Sequence, residues 1–251
     1  MSSDFPRLRP ATRDNLEVKL TLAEIDASCR RPVMLFIMSG VAWLLIGSLL
    51  ALIASIKMHT PNFLADAAWL TFGRVRPAHL NTVIYGWGAM AGIGVVLWLQ
   101  ARLSRVTLPM PSVLVAIAWL WNVAVAVGSV AILAGYGTSV EWLEFPLPVA
   151  VFLALLFAVF GLVSFYTFIT RRNDHVYVSQ WYMFGAILWF PYLYLVANFM
   201  IHAGGSTGAV QAIANWWFAH NVLGLWLTPI GLAAIYYLIP KVIGRPIYSY
   251  Y

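Results

Sequence analysis

The sequence predicts an all-α membrane protein, a polytopic bundle of six transmembrane helices joined by short connections. Three observations carry that prediction. Hydrophobic residues make up 62% of the 251 residues and charged residues only 10%, against about 25% charged in a soluble domain. The mean hydropathy is +0.81. Six apolar runs, each longer than the roughly 20 residues that cross a bilayer as helix, are separated by polar punctuation. Helix is the form they must take, because an open strand would leave backbone N–H and C=O groups unpaired in lipid.

Residues 1–32 are polar and charged, with no apolar leader, and read as a cytoplasmic N-terminal segment. Within it, Thr21-x-x-Glu24 has the form of a capping box and predicts a short helix lying on the membrane surface. Pro32 then suits the first turn of the first span. The spans follow over 33–56, 79–101, 112–135, 147–170, 178–201 and 213–239, forming one membrane domain over 33–239, and residues 240–251 close the chain. Pro191 and Pro229 predict kinks in the fifth and sixth spans. No solenoid repeat or low-complexity stretch interrupts this order.

Charge sets the expected orientation. Arg7, Arg9, Arg13, Lys19, Arg30 and Arg31 precede the first span; Arg102 and Arg105 follow the second, Arg171 and Arg172 the fourth, and Lys241 and Arg245 the sixth. All fall on one side, which the positive-inside rule makes cytoplasmic, so both termini are expected there. The net charge of +6 is spread over short connections and does not suggest nucleic acid. The single Cys29 excludes an internal disulfide, a CxxCH haem attachment and a Cys-rich metal site within the chain.

Some polar residues do not belong in lipid. His79 stands at the outer end of the second span, and His220 about seven residues, or about 10 Å, into the sixth. Both spans enter from outside, so the two imidazoles share the outer leaflet. An ionisable residue at such a depth is a functional-site hypothesis, and imidazole is a common ligand of metals and of haem iron. A hydrogen bond to a neighbouring carbonyl or helix is the competing reading for each. Arg74 and Arg76 break the positive-inside pattern. Two guanidiniums there either answer a bound carboxylate, which Arg binds in bidentate fashion, or snorkel to lipid phosphate. Glu141 and Glu144, three residues apart, either hold a hard cation such as calcium or belong to a solvated loop. Thr228, Tyr236 and Tyr237, in the inner half of the sixth span, either carry protons with water or pack as interface anchors. His59 and His175 read as surface residues and His202 as interfacial, while Asn198 is expected to bond across helices.

The stretches "GRVRPAHLNTVIYGWG", "EWLEFP", "HVYVSQWY" and "NWWFAHNVLGLWLTPIGLAAIYYLIPKVIGRPIYSY" resemble subunit I of the cbb-type (C-family) haem–copper cytochrome c oxidases. The resemblance runs from the first span to Tyr250. It implies that His79 is an axial ligand of a low-spin haem b, with Arg76 and Arg74 near haem propionates. It implies that Glu141 and Glu144 stand near the propionates of a high-spin haem b, where relatives hold calcium. His220 matches the first of three histidine ligands of the active-site copper, and Thr228 and Tyr236 match positions on a proton-uptake path. The implied whole enzyme reduces oxygen to water with electrons from cytochrome c, through c-type cytochrome subunits, and moves protons across the membrane.

Members of that family are about twice as long, with roughly twelve spans. The resemblance therefore implies half of a twelve-helix core. Tyr250 and Tyr251 precede the span that carries the family's cross-linked tyrosine, and the other copper histidines and haem ligands belong to a C-terminal half. One histidine cannot complete a copper site, so this chain alone is expected to be inactive. Two further readings remain. A nitric oxide reductase-like large subunit would carry Glu shortly after the metal histidine, whereas His220 is followed by Asn-Val-Leu-Gly-Leu-Trp-Leu-Thr. A non-redox transporter or structural membrane protein would show an inverted repeat, and none is evident.

Overall fold

A computed structural model describes the backbone of residues 13–246. Arg7, Arg9, Tyr250 and Tyr251 lie outside the described residues, as does most of the Arg-Pro-Ile-Tyr-Ser-Tyr end. Among the described residues, six helices are long and apolar enough to cross a membrane: Leu22–His59, Phe72–Ser104, Pro111–Ala134, Leu147–Ile169, Val178–His202 and Gly208–Ile243. No strand occurs among the described residues. The first span belongs to α1 (Arg13–His59). The second is built of α2 (Phe72–Asn81), a π-helical segment (Thr82–Gly88) and α3 (Ala89–Ser104). Then come α4 (Pro111–Ala134), α5 (Leu147–Ile169) and α6 (Val178–His202). The sixth repeats the composite pattern: α7 (Gly208–Val222), a π-helical segment (Leu223–Leu227) and α8 (Thr228–Ile243).

Two expectations are corrected at the start of the chain. Helix α1 runs unbroken through positions 21 and 24, so the Thr21–Glu24 box starts no separate helix. A capping box serves orphaned N–H groups, and within a continuing helix those groups already bond to carbonyls four residues back. Pro32 accordingly lies inside α1 rather than in its first turn. The second and sixth spans also begin earlier than their apolar runs, at Phe72 and Gly208. Hydropathy reports the thickness of lipid, and both helices continue beyond the strongly apolar run. Pro229 stands in the first turn of α8, at the junction with the π segment, where a missing N–H costs least.

Helix α1 packs along the second span through a seam of glycines. A Cβ at Gly94 would lie 2.9 Å from Ile37 Cγ1, one at Gly86 2.6 Å from Trp43 Cγ, and one at Gly47 2.8 Å from Val83 Cγ2 and 3.0 Å from Thr82 Oγ1. Each large side chain thus occupies the notch of a facing glycine, and the register of the two spans is set by shape. Close backbone approach of this kind is how helices associate in lipid, where apolar burial alone gives no preference.

Polar ties pin the two ends of the bundle. At the end holding Arg102, its guanidinium forms a two-pronged pair with Asp26 (Nε to Oδ1, 2.7 Å) and donates to the Tyr237 hydroxyl at 3.0 Å. This joins α1, α3 and α8. The Gln180 amide donates to Ser104 Oγ at 3.3 Å, and the Arg172 N–H donates to the Ser104 carbonyl at 2.9 Å. At the opposite end, Arg76 Nη2 pairs with Glu141 Oε1 at 2.5 Å, and Asn215 Nδ2 donates to the Glu141 carbonyl at 2.6 Å. Asn198 does not cross helices: its amide donates to Tyr194 O on its own helix. A nearer carbonyl one turn back wins over a partner on another helix.

The core between these ends is aromatic. Tyr85 in the first π segment meets Tyr194 (centroids 5.9 Å apart), Tyr194 meets Phe190 (5.4 Å), and Phe190 meets Trp226 in the second π segment (4.1 Å). All four are buried. Edge-on and offset pairs of this type add about 0.5–1.5 kcal/mol each beyond area burial. The two irregular segments are therefore coupled through one packed column.

Candidate functional site

His79 lies in the last turn of α2, three residues before the π segment. Its Nδ1 is 2.9 Å from the carbonyl oxygen of Gly47 on α1. A carbonyl can only accept, so Nδ1 carries the proton of this bond, and in a neutral ring Nε2 keeps its lone pair. That is the arrangement of a ligating histidine, whose second nitrogen is oriented by an outer partner. Around the π turn that follows, side chains also bond to backbone carbonyls. Thr82 Oγ1 donates to the His79 carbonyl at 2.8 Å, and Trp121 Nε1 donates to the Tyr85 carbonyl at 2.8 Å. Insertions of this kind recur at functional sites. The second π segment begins three residues after His220.

The expected arginine pair divides. Arg76 holds Glu141 and keeps its side chain 45% exposed. Arg74 turns to the end of α4, where its Nη1 donates to Leu133 O at 3.1 Å. It packs so closely on Gly135 (φ +95°) that a Cβ there would lie 2.8 Å from Nη2. A guanidinium on the last carbonyls of a helix answers both their unpaired oxygens and the helix dipole. The acidic pair divides too. Glu141 lines a cleft of about 390 Å³ with Arg76, Thr138, Ser139, Glu144 and Asn215. Glu144 is only 3% exposed, and its Oε2 accepts from Asn81 Nδ2 at 2.6 Å. Asn81 Oδ1 is buried without a partner among the described residues.

Burial pushes the Glu144 carboxyl up to about 7, against the pull of the Asn81 amide. A folded-state value above the ordinary 4.5 means that, between pH 4.5 and 7, the folded chain holds a proton that the unfolded chain releases. Stability from this group therefore falls as pH rises through that window, and the cost is complete above pH 7. Glu144→Gln is expected to remove this slope. At pH 8 it should stabilise the chain by up to about 3 kcal/mol, and at pH 4 by close to nothing. Denaturant titrations in detergent at the two pH values check it.

His220, Gly224, Thr228, Gly231 and Ile235 follow one another at three- and four-residue steps, and all are exposed. A Cβ at Gly224 or Gly231 would meet nothing within 4 Å. Tyr236, beside this row, is 38% exposed and stacks on Tyr182 at 5.8 Å. The structure thus gathers His220, Thr228 and Tyr236 along one uncovered side of the sixth span. It places His79 separately, against α1. No group of three or more His, Cys, Asp or Glu side chains able to hold a metal occurs among the described residues.

Residues 31–251 match the family of cytochrome c and quinol oxidase polypeptide I. The chain belongs to that family. It is 29% identical over 221 residues to the cbb3-type cytochrome c oxidase subunit CcoN1 of Stutzerimonas stutzeri, covering 86% of this chain and 47% of that one. It is 32% identical over 216 residues to the bacteroid cytochrome c oxidase subunit 1 homolog of Bradyrhizobium diazoefficiens, covering 83% and 39%. The corresponding protein of Azorhizobium caulinodans gives 29% over 227 residues, covering 87% and 41%. The chain spans less than half the length of these curated relatives. Its spans and its bacterial relatives make this oxidase polypeptide a bacterial membrane protein. The family implies haem and copper in the full-length protein, and two observations test whether this chain fits them. His79 has its Nδ1 engaged and, among the described residues, no such bond at Nε2, an arrangement that suits an iron ligand. His220 is a single imidazole on an uncovered face, which suits one ligand of a site completed from elsewhere.

Sequence reasoning missed both π segments, Gly47, Asn81 and Asn215. The glycines of Tyr85-Gly86-Trp87-Gly88 and of Leu223-Gly224-Leu225 were the available signal. A glycine inside a membrane helix marks close approach or irregular backbone.

Proposed function

We propose that this chain forms the leading half of the catalytic subunit of a cbb-type terminal oxidase, which reduces oxygen to water with electrons from cytochrome c and translocates protons. The observation that carries this reading is the His79 ring, held at Nδ1 by a backbone carbonyl and left with a lone pair at Nε2. His79 would hold the iron of low-spin haem b, with Arg76 and Arg74 as the cations for its propionates. His220 supplies one ligand of the active-site copper. Glu141 and Glu144 flank a high-spin haem b, and the oxygen donors of their cleft suit calcium. When bound, haem and copper would relay the electrons and form the oxygen-binding centre. The chain's own part is to orient these ligands and admit protons past Thr228 and Tyr236 from the cytoplasmic side, where both termini lie. The C-terminal half of subunit I covers the open face of the sixth span, and c-type cytochrome subunits deliver the electrons. No acid follows His220 in the next eight residues, which favours an oxidase over a nitric oxide reductase.

Expression in a bacterium lacking its other terminal oxidases tests the proposal. Oxygen uptake driven by reduced cytochrome c is expected when this chain is produced with the second six-span half and the cytochrome subunits, and none with this chain alone. Complete assembly without oxygen uptake would refute it.

A further inference from the structure

We infer that Trp43 and Asn122 are positioning residues for His79. By bonding to each other they hold the Gly47 carbonyl against the ring and so tune the iron it ligates. The inference rests on the proposed ligand role of His79.

Asn122 lies near the middle of α4, far from either polar end of the bundle. Every polar atom of its side chain is committed: Oδ1 accepts from Trp43 Nε1 at 2.8 Å, and Nδ2 donates to Ser39 Oγ at 3.0 Å and to Ala118 O at 2.8 Å. Two of the three partners are on α1, at positions 39 and 43, one turn apart. Gly47 is the next turn along. Asn122 therefore grips α1 immediately before the carbonyl that His79 uses.

The grip reaches the second span as well. The Trp43 ring fills the notch of Gly86, where a Cβ would lie 2.6 Å from its Cγ. Gly86 belongs to the π segment that follows His79. Gly47 sits so close to Thr82 and Val83 that no side chain fits there. Trp43 and Gly47 thus touch the π segment at two points one turn apart, and the Asn122 bond fixes the orientation of the indole that makes the first contact. A helix rotates about 100° per residue, so even a small rotation of α1 displaces the Gly47 carbonyl from Nδ1. The strength of that bond sets the electron-donating power of the imidazole, and outer partners of this kind are a lever on haem potential.

The test uses the full-length assembly purified from membranes. Trp43→Phe keeps a ring in the Gly86 notch and removes the indole donor, while Asn122→Leu removes both of its bonds to α1. Each is expected to retain the low-spin haem at wild-type content and shift its midpoint potential upward, because a weaker Nδ1–H bond makes the ring a poorer donor. The double variant should shift no further than the larger single, since both act through one bond. Ser39→Ala, which breaks only the second Asn122 contact, is expected to give a smaller shift in the same direction, and it decides the matter if the other two fail to assemble. A purely structural role would lower haem content without moving the potential. Wild-type potentials in the assembling variants, or a downward shift, would overturn the inference. Retention of the low-spin band in His79→Ala would instead sink the ligand reading beneath it.

Discussion

His79→Ala is expected to abolish the low-spin haem band in the reduced-minus-oxidised spectrum of the assembled enzyme, and with it all electron delivery to oxygen. The expectation follows from the proposed ligand role of His79. Nδ1 is engaged by Gly47 O at 2.9 Å, and the proposal assigns Nε2 to iron. Alanine removes the proposed ligand and the ring's bond to a carbonyl whose helix is fixed by the glycine seam. The groove cannot close around the gap, because Gly47, Thr82 and Val83 are already at contact distance. Loss should therefore be close to complete, well beyond the roughly 10–100-fold that losing an outer partner costs. Pyridine haemochrome quantification on membranes checks it, and a band of wild-type height would remove His79 from the ligand set.

The second large effect is expected at His220. His220→Ala in the assembled enzyme should strip the active-site copper and end oxygen reduction while leaving the low-spin band in place. In this chain alone the same substitution should be almost silent. The side chain is exposed on the uncovered face of the sixth span, and surface changes away from caps and buried polar groups usually stay within about 0.5 kcal/mol. Elemental analysis of the assembly and denaturant titration of the chain separate the two roles. Wild-type copper content would dismiss His220 as a ligand, and a large loss of chain stability would assign it to packing.

The spans were legible because lipid imposes one rule on every residue that enters it. Hydropathy therefore found six helices, and charge singled out Arg74, Arg76, Glu141 and Glu144 without joining Arg76 to Glu141. Helix ends were less legible. Phe72–Ala78 and Gly208–Ala212 extend as helix without a strong apolar signal, and the Thr21–Glu24 box competes with a helix already running past it. Least legible were the π segments and the carbonyl of Gly47. Backbone groups carry no sequence identity, so a bond from His79 to a glycine carbonyl 32 residues earlier leaves only the glycine as a trace. The fates of Arg74 and Arg76 differ for a similar reason. Two residues apart, they face different neighbours, one a helix end and the other a carboxylate.

The sixth span is fastened to the second at both extremities, by Asn215 through Glu141 and Arg76 at one and by Tyr237 through Arg102 at the other. A strut clamped at each end cannot pivot; it can only flex between its fixings. The widened turn over Leu223–Leu227 lies between those fixings, immediately beyond His220, so the height of that imidazole on the open side of the molecule is dictated by the clamps.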